Sequence, residues 1–344
     1  MKKVGICGFF SFDNNDHGGQ PVKTRELYYA LREYIKEDIL YVDTYGWKKK
    51  PISLVIKSFI LMIESNNIII MPAKNGLKVF ARMYSFMNIF LRRKLHYVVI
   101  GGWLPELLKE NDKLCKSITR FDTVFVETNY MKLELERLGL DNIVILPNFK
   151  NIKPICKDDF DQYREGPYKL CTFSRVTPQK GIEEAIKVVT KTNKIFNKTI
   201  FTLDIYGQVE EHYVNKFNQM KSEFPNYIRY RGTIKPEKSV EVLKDYYALL
   251  FPTKYKTEGI PGTIIDSYFA GVPVISSIWD SFSDVIDEGS TGIGYEFNNE
   301  DKLNEILCFI AKHPEIIDNM RENCIKKSQE YTPQKVIEKL VSYL

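Results

Sequence analysis

Twelve short apolar runs, six before residue 150 and six after it, recur between segments of helical pattern along 344 residues. VGICGFF, ILYVDT, NIIIM, YVVIG, TVFVE and IVILP form the first series, with a helix expected from about Lys23 to Lys36 after the first run. KLCTF, FTLDIYG, YIRYRG, ALLFP, VPVIS and GIGYEF form the second. Strands that alternate with helices imply parallel sheets covered on both faces. Between the series, the polar stretch FKNIKPICKDDFDQYREGP has no periodicity and reads as a linker. The length suits two domains of about 150 residues each. The expected architecture is therefore α/β, with two doubly wound, Rossmann-like domains facing each other across a cleft. Their expected bounds are residues 1–150 and 151–328, and residues 329–344 form a final amphipathic helix. That helix, YTPQKVIEKLVSYL, either caps the second domain or crosses back to the first.

Composition narrows the class of protein. Apolar residues at 44% and charged residues at 27% are those of a globular chain, not a disordered one. The net charge of +5 does not call for nucleic acid, and it is compatible with an anionic ligand or an anionic membrane surface. Cys7, Cys115, Cys156, Cys171, Cys308 and Cys324 are scattered, without a CxxC pair or a histidine at metal-ligand spacing. They read as free thiols in a reducing cytoplasm. MKKVGICGFFSF breaks straight into DNNDH, so it reads as a first strand and not as a signal peptide. No stretch reaches the roughly 18 apolar residues that a membrane span needs.

Three loops carry residues suited to chemistry. NNDHGGQPVKT lies between the first strand and a helix; Gly18 and Gly19 either bring the backbone close to a ligand or make an ordinary tight turn. His17 beside them is a base or a solvated loop residue. FSRVTPQKGIEEAI follows the run KLCTF and places Arg175 and Lys180 just before a helix starting near Gly181. Two cations and a helix N-terminus can neutralise a diphosphate without a metal, unless the loop is simply basic and solvated. The third, TKYKTEGIPG, carries Glu258 and leads into the helical segment TIIDSYFAG with Asp266 eight residues on. These carboxylates cannot share a helix face and more plausibly bracket a ligand lengthwise. Carboxylates accept hydrogen bonds from vicinal hydroxyls, so Glu258 suits a sugar and Asp266 a ribose. Asp266 lies among Ile264, Ile265, Tyr268 and Phe269, where an unpartnered carboxylate is costly.

No acidic pair of DxD type follows a strand at such a site, so no catalytic metal is expected. P-loop, kinase-loop and GxSxG patterns are absent from the sequence. In the first half, KKKPISLVIKSFILMI and GLKVFARMYSFMNIFLRRK interleave Lys and Arg with large apolar residues. Basic amphipathic helices of this kind lie on anionic lipid, or else bury their apolar faces in a core and leave the charges to solvent.

Taken in order, RVTPQKG, EGIPGTIID and AGVPVIS resemble the carboxyl-terminal half of family-4 retaining glycosyltransferases, which have the two-domain GT-B fold. The ordered set spans roughly residues 165–297, and the Gly18–Gly19 loop and final helix extend it along the chain. The resemblance implies that Arg175 and Lys180, with Gly181, bind the nucleotide diphosphate. It implies that Glu258, the first acid of an acid-x7-acid motif, contacts the donor sugar and that Asp266 contacts the ribose. The main chain of Gly259, Ile260, Pro261, Gly262 and Thr263 would hold sugar and phosphate, and backbone around Gly232 to Lys235 the base. The second acid of the motif is usually Glu; Asp266 keeps the charge and loses one methylene of reach. Gly101, Gly102 and Trp103 stand at a strand end where donor and acceptor sites are often lined. Trp103 stacks on a sugar or belongs to the core.

The resemblance thus implies a metal-independent, retaining glycosyltransferase of hexosyltransferase type, with Glu258, Arg175 and Lys180 as its central residues. Its donor is a nucleotide sugar and no further cofactor is expected. Its acceptor is the hydroxyl of a glycan or lipid-linked glycan in capsule or other surface polysaccharide assembly. The expected location is cytoplasmic, with peripheral contact on the inner face of the cell membrane. The rival readings are a nucleotide-sugar epimerase of the same fold, which would need several acids and histidines near the sugar, and a non-catalytic partner subunit of a transferase.

Overall fold

A computed structural model describes residues 2–12, 18–155 and 166–344. The chain divides into two units, each with its own six-stranded parallel sheet. Unit 1 is Met1–Asn151, Thr257–Ile260 and Tyr331–Leu344; unit 2 is Ile152–Lys256 and Pro261–Glu330.

In unit 1 the strands are β1 (Lys2–Gly8), β2 (Leu40–Asp43), β3 (Ser65–Met71), β4 (Lys94–Val98), β5 (Thr123–Val126) and β6 (Ile143–Ile145), in the sheet order β2-β1-β3-β4-β5-β6. All pairs are parallel. Alternate residues of β3 feed opposite faces: Ile68 and Ile70 join one core cluster, Ile69 and Met71 the other. Helices α2 (Pro51–Glu64) and α3 (Lys74–Leu91) cover the first face through Leu54, Leu61, Leu77 and Phe80. Helix α1 (Gly19–Ile35) and the final helix Pro333–Val341 cover the second, with Leu27 and Leu31 packing in one cluster with Val336, Ile337 and Leu340. The final helix therefore packs in unit 1.

Two of the shifts from the expected boundaries have a plain physical cause. Helix α1 starts at Gly19, four residues before Lys23, because Pro21 with its fixed φ is compatible with a first helical turn. Strand β4 starts at Lys94, three residues before the run YVVIG. Its polar start is accommodated by the ladder. His96 is buried and lies 3.3 Å from the Asn67 side chain on β3, and Leu95 N–H donates to Asp122. Burial pushes the His96 pKa down to about 4, so it packs as a neutral ring.

Unit 2 repeats the plan with β7 (Tyr168–Phe173), β8 (Phe201–Tyr206), β9 (Ile228–Gly232), β10 (Ala248–Phe251), β11 (Val274–Ser277) and β12 (Gly292–Tyr295), ordered β12-β11-β10-β7-β8-β9. The chain runs outward from β7 to β9, then returns to the other side of β7 at β10. Ligands of open α/β sheets bind outside the strands' carboxyl ends where the order reverses in this way. In unit 2 that point lies between β7 and β10; in unit 1 it lies between β1 and β3.

Candidate active site

The loops after β7 and β10 meet at the reversal point of unit 2. Arg175 leaves the end of β7, and Lys180 closes a single 3-10 turn, Pro178–Lys180. Gly181 follows with φ +68°, and a Cβ there would overlap the carbonyl of Pro252 just after β10. Only glycine satisfies both the left-handed backbone and that approach. Lys254 N–H donates to the Gln179 carbonyl at 2.8 Å, which ties the two loops together again. The helix Ile182–Ile195 then begins with two acids, Glu183 and Glu184, in its first turn.

Both cations have neighbours that the sequence did not reveal. The Arg175 guanidinium is largely exposed and donates to Glu210 at 2.6 Å. The Lys180 ammonium lies 5.3 Å from the Phe251 ring centre and 5.1 Å from that of Tyr255. Two aromatic faces flank this charge and help to fix its position. Glu210 is 35 residues from Arg175 in the chain, and no local pattern marks the pair.

The helix Gly262–Phe269 connects β10 to β11, so its N-terminus stands at the same carboxyl edge. No side chain caps that end; Pro261 occupies the N-cap. The Thr263 hydroxyl in the first turn is buried and has no hydrogen-bond partner among the described residues. An uncapped helix start with an unused hydroxyl is a favourable seat for an anion. Asp266, one turn further on, is 5% exposed, with Ile264, Ile265, Tyr268 and Phe269 also buried.

Glu258, Gly259 and Ile260 cluster with unit 1. Glu258 is half-buried. Its short segment rests on Gly102, where a Cβ would come within 2.5 Å of the Thr257 carbonyl oxygen and 2.7 Å of that of Glu258. Ile260 is held at both backbone groups. Its N–H donates to Glu127 Oε2 at 2.6 Å, and its carbonyl accepts from the Asn148 amide at 3.1 Å. Glu127 Oε1 also accepts from Gly101 N–H at 3.0 Å and from the Lys23 ammonium. Glu127 is 3% exposed and Lys23 8%. Gly259 passes so close to Glu127 that a Cβ would collide with the carboxylate.

This buried ion pair is the largest feature that sequence reasoning missed. Glu127 reads as the last residue of the apolar run TVFVE, and Lys23 as the start of an amphipathic helix, 104 residues away. The only available signal was a charge ending an otherwise apolar strand.

The remaining candidates in unit 1 divide. Gly18 is the N-cap of α1 with ordinary extended backbone, and a Cβ on Gly19 would meet nothing within 4 Å. The surroundings of Gly19 among the described residues therefore do not demand glycine. His17 lies outside the described residues. Trp103 is half-buried, packs against the unit 1 core and donates its indole N–H to the Ile100 carbonyl at 2.8 Å. Its polar edge is thus already engaged with its own strand end. Among the described residues, no group of three or more His, Cys, Asp and Glu side chains could hold a metal ion.

Residues 157–331 match the family model described as glycosyl transferases group 1. An uncharacterized glycosyltransferase of Methanocaldococcus jannaschii is 22% identical over 321 residues, spanning 90% of this chain and 85% of the relative. The crystal structure of Anabaena HepE in complex with UDP-glucose aligns over 100% of both chains with a TM-score of 0.76 at 15% identity. Sucrose-phosphate synthase of Thermosynechococcus elongatus aligns over 99% of this chain and 98% of its own, with a TM-score of 0.74 at 12% identity.

Proposed function

The chain belongs to the glycosyl transferases group 1 and has the GT-B fold, and from that membership we propose that it moves a sugar from a nucleotide-sugar donor to an acceptor hydroxyl, retaining anomeric configuration and using no metal. One observation carries this reading. Lys180 and Gly181 meet the end of β10 at the reversal point of unit 2, and the helix that follows β10 starts uncapped with an unused Thr263 hydroxyl. HepE was crystallised with UDP-glucose, which supports a nucleotide sugar as donor.

In this reading Arg175, Lys180 and the first amides of the Gly262–Phe269 helix take up the charge that develops on the leaving diphosphate. Fixed charges and dipoles of this kind supply the largest share of catalysis because they need no reorganisation as the bond breaks. Glu258 accepts hydrogen bonds from donor-sugar hydroxyls and Asp266 from the ribose. The acceptor oxygen bonds to the anomeric carbon on the face that the diphosphate leaves, and its proton passes to the freed phosphate oxygen.

The acceptor side of the proposal is a lipid-linked glycan at an anionic membrane surface. Helix α2 exposes Ile52, Ile56, Phe59 and Ile63, and α3 exposes Phe86 and Phe90. Between residues 47 and 94, ten Lys and Arg accompany a single acid, Glu64, in a chain whose total is only +5. Apolar side chains ringed by cations gain both from insertion and from attraction to anionic headgroups. No helix among the described residues is long and apolar enough to cross a membrane.

The donor is tested by a thermal-shift and transfer screen over UDP-, GDP-, ADP- and dTDP-sugars in the presence of EDTA. One nucleotide sugar is expected to raise Tm and to be turned over with EDTA present. Failure of every member to bind overturns the donor reading, and loss of turnover on chelation overturns metal independence. The surface is tested by sedimentation with vesicles containing phosphatidylglycerol. Binding is expected at low salt and should fall at least tenfold in Phe86→Asp/Phe90→Asp; equal pelleting of this variant removes the membrane proposal.

A further inference from the structure

The carboxyl edge of the unit 1 sheet contains a cavity of about 420 Å³ lined by the segments that follow β1, β2 and β3 beside the reversal point. Phe9 follows β1, Tyr45 and Trp47 follow β2, Pro72 and Ala73 follow β3, and Phe80 stands on α3. The rings of Phe9 and Tyr45 lie parallel, 5.9 Å apart with 6° between planes, and Trp47 meets Phe80 edge-on at 5.6 Å. The volume falls within the range of small-molecule pockets, about 300–1,000 Å³. Lys48 and Lys49, both exposed, complete one side of the lining.

The chemistry of the walls selects among ligands. A bare sugar ring carries several hydroxyls, each of which needs a partner when it leaves water. The walls offer mostly aromatic and proline surface, with few groups able to serve. A hydrocarbon chain asks for none and gains from every apolar wall. An adjoining phosphate would meet the ammonium groups of Lys48 and Lys49, which donate charge-assisted hydrogen bonds to anionic oxygens.

The lining also adjoins the helices that carry the exposed apolar side chains. Lys48 and Lys49 run directly into the first turn of α2, where Ile52 is 76% exposed, and Gly76 of the lining lies one turn before the exposed Val79 on α3. The two helices lie side by side on one sheet face. Trp47, just before α2, packs on Phe80 of α3, and the Arg93 guanidinium donates to the Met62 carbonyl at 2.9 Å.

We propose that this cavity binds the head-proximal part of a long-chain lipid phosphate, with the chain against Phe9, Tyr45 and Trp47 and the phosphate at Lys48 and Lys49. The proposal rests on the lipid-linked acceptor reading above and assigns that acceptor a place in unit 1.

The probe is geranylgeranyl monophosphate below its micellar concentration, titrated calorimetrically into the full chain, with inorganic phosphate as comparison. Saturable binding near one molecule per chain is expected, and inorganic phosphate should show none at the same concentrations. Tyr45→Asp puts a carboxylate into the wall and should weaken the probe at least tenfold. Ala73→Asp does the same from the N-cap position of α3, where Asp supports the helix and so the fold. Both variants should keep the wild-type Tm shift with the nucleotide sugar and the wild-type sedimentation with vesicles. Phe86→Asp/Phe90→Asp should lose vesicles and keep the probe. Non-saturable uptake, equal binding of inorganic phosphate, or unchanged affinity in both wall variants overturns the proposal. A donor-binding protein that ignores the probe fails this proposal alone; one that binds no nucleotide sugar fails the donor reading instead.

Discussion

Replacing Lys180 by Ala is expected to lower kcat/KM for the donor by about 10²–10³, the usual effect of deleting one preorganised group that stabilises developing negative charge. The effect should appear chiefly in kcat, because charge on the diphosphate is greater in the transition state than in the bound donor. Tm should hardly change. The Lys180 ammonium lies over the rings of Phe251 and Tyr255 at a loop end, and contacts of this kind contribute only about 0.5–1 kcal/mol. Lys180→Arg tests the geometry separately. A guanidinium keeps the charge but moves it along a longer, planar head, so only partial recovery is expected. Arg175→Ala should have a smaller effect than Lys180→Ala, since this side chain is more exposed and already shared with Glu210. Wild-type turnover in Lys180→Ala would remove this residue from the site.

Glu127→Ala is expected to cost about 3–5 kcal/mol in stability, the penalty for leaving a buried charge without its partner. The lone charge would be Lys23, which is 8% exposed. Two backbone N–H groups, of Gly101 and Ile260, lose their acceptor as well. At about 2–4 °C per kcal/mol for a domain of this size, Tm should fall by roughly 6–20 °C. The double variant Lys23→Met/Glu127→Leu discriminates between causes. Replacing both charges by apolar groups of similar volume should restore only part of the lost Tm, because the N–H groups of Gly101 and Ile260 still lack their acceptor. It should not restore turnover, because the segment carrying Glu258 still lacks the acceptor that holds Ile260. Full recovery of both Tm and kcat in the double variant would show that the pair serves stability alone.

The elements differ in how far they could be read in advance. The strand runs were legible because a parallel strand buried on both faces needs continuous apolar residues. All twelve occur, and the ladder moves only YVVIG by three residues, through the buried contact of His96 with Asn67. The places of Arg175, Lys180 and Thr263 at the carboxyl edge of the sheet were legible because each lies in a loop or first turn directly after a strand, where local order dictates position. The Glu127–Lys23 pair and the Arg175–Glu210 pair were not legible, since their partners are 104 and 35 residues apart.

By itself, then, the order of residues determined the α/β class, the two sheets and the loops that bear the candidate chemistry, because these follow from local hydrophobic period and turn composition. Tertiary structure alone decided three things. The segment Thr257–Ile260 joins unit 1, where Gly102, Asn148 and Glu127 hold it. The first-half helices keep one apolar face for solvent after burying the other. An aromatic cavity forms where β1, β2 and β3 end. Each depends on which distant segments the parallel crossovers bring to the same edge, and no short stretch of sequence carries that information.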